Sequence, residues 1–112
     1  MRIDNGNIFS DLPGRSPNET FTDLFATAGL KIERIVSRGQ ATSEGEWLDQ
    51  AQAEWVLLVS GSAAVHFESE SSPRELKPGD YLLIPPHTRH CVAWTDKDHP
   101  TIWLAVHFDQ PH

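Results

Sequence analysis

The sequence predicts an all-β domain, a sandwich or barrel of short strands, carrying one short helix near its N-terminus. Three observations lead there. After Gly29, β-branched and apolar runs recur at a spacing of roughly 8–12 residues, the rhythm of a sandwich or barrel. Turn-forming residues separate those runs at Ser60-Gly61, Ser69 to Pro73, Lys77-Pro78-Gly79-Asp80, Pro85-Pro86 and Asp96 to Pro100. Helical spacing of apolar residues is found only between Ser16 and Gly29.

Residues 1–15 carry little pattern beyond Ile8, Phe9 and Leu12, and read as an arm lying on the body. Ser16-Pro17-Asn18-Glu19 reads as a helix start: Ser16 as cap, Pro17 in the first turn, Glu19 completing a capping box. Phe21, Leu24, Phe25 and Ala28 then form one stripe, and Gly29 ends the helix. Residues 1–29 are therefore expected to be an arm and helix packed on a barrel of residues 30–112. Leu30 to Ser37 has the mixed character of a partly exposed strand, and Arg38 to Gly45 is a polar loop. Trp47 to Gln50 suits a short strand, and Gln52 to Val59 a stronger one, with the run Trp55-Val56-Leu57-Leu58-Val59. Ala63 to Glu68 returns after Ser60-Gly61, and a short strand follows around Leu76. Tyr81 to Ile84 is stopped by Pro85-Pro86, since proline cannot donate to a ladder. His90 to Thr95 and Thr101 to Phe108 close the chain.

The chain has 112 residues, enough for one domain with a modest core. Nine Lys and Arg against sixteen Asp and Glu give a net charge of -7, which argues against a nucleic-acid face. The apolar runs fall far short of the ~20 residues that span a bilayer, and the N-terminus lacks the apolar stretch of a signal peptide. Cys91 is the single cysteine, so no internal disulfide forms. A cytoplasmic protein is the default reading.

From Gly79 to His90 the chain resembles the second motif of the cupin superfamily. That motif reads Gly, five residues, Pro, one residue, Gly, two residues, His, three residues, Asn. Gly79, Pro85 and His90 fall in step; His87 stands at the second glycine and Trp94 at the asparagine. In the family's first motif, two histidines one residue apart precede a Glu by three or four residues, and a Gly follows that Glu after six. Glu54 and Gly61 keep that last gap, with no Gly at the opening position. The four-residue spacer places the two histidines at Trp47 and Asp49; the three-residue spacer places them at Leu48 and Gln50. The resemblance covers roughly residues 30 to 108. It implies a cupin-like jelly-roll β-barrel with a site inside one mouth, where the family's standard set is three imidazoles and one carboxylate.

Residue by residue, His90 shares a strand face with Val92 and Trp94, at the lip of an apolar wall. Glu54 shares a face with Val56 and Leu58; turned inward, its carboxylate needs a metal, a histidine or a proton. Asp49 is a candidate third ligand, or an acceptor for His90. Gln50 is a candidate orienter of a bound substrate, and His87 either a second imidazole or an exposed turn residue. Trp47 and Trp94 are candidate pocket walls, or plain core. His107 and Trp103 fall opposite Ile102, Leu104, Val106 and Phe108, so an aliphatic core would point both outward. An outward Trp103 would add to an apolar patch suited to a homodimer. His66 also reads as outward, and His99 and His112 as loop and tail.

These residues support three functions. In the first, a divalent metal (Mn, Fe, Ni or Zn) is held by His90, Glu54 and Asp49 in an enzyme of dioxygenase, isomerase or lyase type. In the second, a metal-free module binds a sugar, small acid or amine in an aromatic-lined pocket with Glu54, Gln50 and His90 as hydrogen-bonding groups, and Gln50, Trp47, Trp94 and His87 are the candidate substrate-binding residues. In the third, the barrel serves association and the pocket is vestigial. No organic cofactor is expected; a small-molecule ligand is, and neither nucleic acid nor membrane.

Overall fold

The computed structural model describes residues 1–110, so His112 lies outside the described residues. Eight strands follow one another: β1 Thr20–Thr27, β2 Leu30–Ser37, β3 Ala53–Ser60, β4 Ala63–Phe67, β5 Arg74–Leu76, β6 Tyr81–Ile84, β7 His90–Thr95 and β8 Thr101–Phe108. They form a five-stranded sheet of order β1-β2-β8-β3-β6 and a three-stranded sheet of order β5-β4-β7. Every pairing is antiparallel. Among the described residues no helix is long and apolar enough to cross a membrane.

The expected N-terminal helix is absent, because its residues form β1 at the edge of the larger sheet. Thr20 to Thr27 pairs with β2, with a bulge between Asp23 and Phe25 that breaks the two-residue alternation. Phe21 and Phe25 looked helical because a spacing of four, one helical turn, is also two strand periods, and the bulge disguises the alternation by placing the two on opposite faces. The would-be capping box is dismantled too. Ser16 Oγ accepts from the Asn18 amide at 3.4 Å, while Glu19 accepts from the Ser37 hydroxyl. A lone helix of about three turns is marginal in water, whereas the open edge of β2 offers a full ladder to a threonine-rich segment. Gly29, at φ 77°, closes the two-residue loop between β1 and β2 instead of ending a helix.

The two sheets face each other over a core of Val56, Leu58, Val65, Phe67, Ile84 and Trp103, with small residues between them. On β8 the inward set is Thr101, Trp103, Ala105 and His107, which corrects the outward placement of Trp103 and His107. Trp103 is 4% exposed. Leu104 and Val106 instead pair with Arg34 and Ile32, and with Leu57 and Trp55, on the outer face. The aliphatic stripe is therefore outside, and the mixed polar face is inside, where it lines a cavity. Part of the outer face is covered by the N-terminal arm. Arg34 donates to the carbonyls of Ser10 (2.7 Å), Ile8 (3.3 Å) and Asp11 (3.4 Å). Arg38 donates to Pro13 (2.7 Å), and Val36 and Ile102 beside this line are buried.

Candidate functional site

A cavity of about 430 Å³ opens between the sheets. Its apolar wall comes from Val56, Val65, Ile84, Val92 and Trp103, and its polar groups from β2, β3, β7, β8 and the segment before β3. That segment is stitched to β7. Leu48 and His90 exchange backbone hydrogen bonds at 2.7 and 3.1 Å, and the Thr42 amide donates to the Val92 carbonyl at 3.0 Å. The bridge sets the local alternation: Leu48 and Gln50 line the cavity, while Trp47 and Asp49 do not.

The centre of the polar cluster is His107. Its Nε2 lies 2.7 Å from Glu33 Oε1 and 3.9 Å from Glu54 Oε2. An ionised carboxylate can only accept, so the Nε2–H donates to Glu33. The strand register creates this meeting, because Glu54 pairs directly with His107 and Glu33 lies one strand over on the inner face. Lys31 Nζ reaches Glu33 from the outside at 3.4 Å. Burial pushes the Glu54 carboxyl above its ordinary value; His107, His90 and the Gln50 amide oppose the shift, and Glu33 adds to it. On the other wall, the Trp103 indole N–H donates to Ser37 Oγ at 3.0 Å, and Ser37 donates to Glu19. Burial raises the Glu19 carboxyl, with the Ser37 bond acting against it.

His90 lines the cavity and is 4% exposed. Its Nδ1–H donates to the Thr88 carbonyl at 2.7 Å, so Nε2 is the nitrogen left for chemistry. The Phe67 ring lies 5.9 Å from its centre. Glu54 and Gln50 line the same cavity.

The other sequence candidates lie elsewhere. Asp49 accepts from His87 Nδ1 at 2.9 Å on the surface, and both side chains are exposed. His87 occupies the family's glycine position with φ 55°, a left-handed backbone that glycine adopts without penalty. Trp47 packs edge-on to His66 at 5.7 Å. Trp94 is exposed, because a bulge opposite Ala64 and Val65 reverses the alternation of β7 after Val92.

Sequence reasoning missed Glu33, His107, Glu19 and Trp103. A signal for two of them was present: β2 and β8 each carry an aliphatic stripe on alternate residues, and Glu33 and His107 occupy the complementary faces. Among the described residues, no group of three or more His, Cys, Asp and Glu is arranged to hold a metal ion.

A family model described as a cupin domain matches residues 35–107. The chain is 52% identical to a protein from Ralstonia eutropha JMP134 described as a candidate mannose-6-phosphate isomerase. The two superpose with a TM-score of 0.94, covering 96% of this chain and 100% of that one. A cupin superfamily protein from Desulfitobacterium hafniense DCB-2 matches at 16% identity and TM-score 0.75, over 98% of this chain and 95% of that one. An uncharacterised protein with a double-stranded β-helix domain from Klebsiella pneumoniae matches at 15% identity and TM-score 0.76, over 96% and 90%. None of the curated proteins compared with the chain matches it.

Proposed function

The chain belongs to the cupin domain family, and on that premise we propose that it binds a small polar molecule inside the barrel and acts on it by proton transfer, as a cupin of isomerase type. The observation that carries this reading is the buried Glu54 carboxyl beside His107, with Glu33 holding the imidazole from the other side. A carboxyl raised by burial moves toward the pH at which it can both take and return a proton. Glu33 fixes the orientation of His107. His90 presents Nε2 for a substrate hydroxyl, and Gln50 offers an amide to orient it. The likeness to the Ralstonia protein supports an isomerase type. In such a step Glu54 takes a proton from the carbon beside a carbonyl. The C–H electron pair forms the double bond of an enediol as His107 gives a proton to the carbonyl oxygen; the hydroxyl on the first carbon then returns a proton to His107 as Glu54 delivers its proton to the former carbonyl carbon.

The family's metal does not fit the donors present. With the bridge between Leu48 and His90 setting the alternation, the two first-motif positions that face the cavity hold an aliphatic side chain and an amide. The additional imidazole, His107, is committed to Glu33. Asp49, the expected third ligand, is occupied by His87 at the surface.

The test is hydrogen exchange in D2O, with EDTA present, against a panel of aldoses and ketoses followed by proton NMR. Loss of the signal at the carbon beside the carbonyl, abolished in Glu54→Gln and His107→Ala, is the expected result. Ligand-induced change in Trp103 fluorescence without exchange would leave a binding module and remove the catalytic assignment. Stoichiometric metal in the purified protein, required for exchange, would overturn the metal-free reading.

A further inference from the structure

The outer face of the five-stranded sheet is apolar, where an antiparallel sheet packed on one core commonly turns polar residues to water. One unbroken row crosses all five strands: Phe25 pairs with Ile32, Ile32 with Val106, Val106 with Trp55 and Trp55 with Leu83. The next row runs from Leu104 through Leu57 to Tyr81. None of these eight side chains is buried, and Phe25, Leu83 and Tyr81 are 55%, 56% and 64% exposed. Trp55 and Tyr81 lie 5.7 Å apart between ring centroids and form one aromatic pair within the face. The N-terminal arm covers the other end of this face, where Arg34 binds its carbonyls and Val36 and Ile102 are buried.

We propose that the uncovered part of this face packs against the same face of a second copy of the chain, in a two-fold symmetric dimer. Charge and area select that occupant. Each chain carries a net charge of -7, so two copies repel through most of their surface. The two apolar rows hold no charged residue, and Arg34 beside them is turned to the arm and is 8% exposed. A partner recognised by its charge meets no counter-charge here. Four strand spacings of about 4.8 Å make the longer row roughly 19 Å wide, and with its side chains the patch covers on the order of 400 Å². A stable interface takes about 800 Å² from each partner, so the patch supplies an apolar core around which a polar rim closes. Two such faces stack as the sheets of a sandwich do, about 10 Å apart, with each row brought against its own copy by the two-fold axis. The cavity lies on the opposite face of the same sheet, so the dimer is independent of what the cavity binds.

Sedimentation of the full chain over a concentration series tests the assignment, with near-UV circular dichroism to confirm that each variant is folded. The expected result is a wild-type chain with the mass of a dimer at about 50 µM. Leu83→Glu places a charge inside the interface and should raise the dimer dissociation constant at least about thirtyfold, the scale of an interface hot spot. Leu83→Ser should shift it in the same direction by less, and serves if the glutamate variant does not fold. Leu24→Glu, at an exposed position on β1 outside both rows, should leave the dimer intact. A wild-type chain that stays monomeric at about 200 µM would overturn the proposal. A dimer unchanged by both Leu83 variants, or dissociated by Leu24→Glu, would also overturn it, by placing the interface elsewhere.

Discussion

Replacing Glu54 by glutamine should stabilise the protein at neutral pH. The side chain keeps its shape, so what changes is the charge. Several forces act on the carboxylate, with His90 and the Gln50 amide adding to the attraction of His107. His107 at 3.9 Å attracts it, by about 4 kcal/mol at an effective dielectric of 20 if the imidazole is charged. That imidazole, however, is shared with Glu33 at 2.7 Å, and the Glu33 carboxylate repels Glu54. Burial is the largest contribution, and the folded-state value ends above the ordinary 4.5. A carboxyl raised on folding binds its proton more tightly in the native state. Its contribution to stability is complete below the unfolded value and is lost as pH rises through the folded value. We expect a gain of about 1–2 kcal/mol at pH 7 for Glu54→Gln, about 4–8 °C in Tm. The advantage should vanish as pH falls below about 4.5, where both side chains are neutral. Urea unfolding of both proteins across pH 4 to 8 measures it. A variant less stable at pH 7, with the same pH slope as wild type, would show that the His107 attraction outweighs burial and would refute the reasoning.

Gly61→Ala should cost about 3 kcal/mol or more and lower Tm by over ~10 °C in differential scanning calorimetry. Gly61 has φ 90°, and a Cβ there would meet Thr101 Cα at 2.6 Å and the Pro100 carbonyl at 2.9 Å, backbone that cannot swing aside. The double variant Leu48→His, Gln50→His should restore a three-imidazole, one-carboxylate set with His90 and Glu54. Metal in excess at about 100 times Kd would then raise stability by about 2.7 kcal/mol; a folded variant with no Zn- or Ni-dependent rise in Tm would contradict the placement of these positions. Arg34→Ala removes three bonds to the arm, so limited proteolysis should cleave within residues 1–15 faster than in wild type.

Much of the strand order was legible in the sequence. Tyr81–Ile84, His90–Thr95 and Thr101–Phe108 have the bounds that their apolar runs and flanking prolines and turns imply. Gly61 could be placed by its spacing from Glu54, and the structure supplies the reason, the close approach of Thr101 to the turn. Thr20–Thr27 was misread because its bulge breaks the period-two alternation that would have marked a strand, leaving a spacing of four that also fits a helix. The face of β8 was misread because aliphatic residues were taken as core. In this barrel the core face holds a cavity, and the aliphatic stripe lies outside.

By itself, the sequence determined the local elements after Gly29: where most strands run, where turns interrupt them, and that His90 opens a strand. Strand propensity, proline stops and glycine turns act over a few residues and can be read in line. Only the tertiary structure decided the site. The meeting of Glu33, Glu54 and His107 depends on the register of β2, β8 and β3, whose residues lie up to 74 positions apart. The bridge between Leu48 and His90 decided that Gln50 faces the cavity and Asp49 does not. A one-residue shift in register exchanges the two faces of a strand, so such choices belong to pairing across the sheet and not to the segment alone.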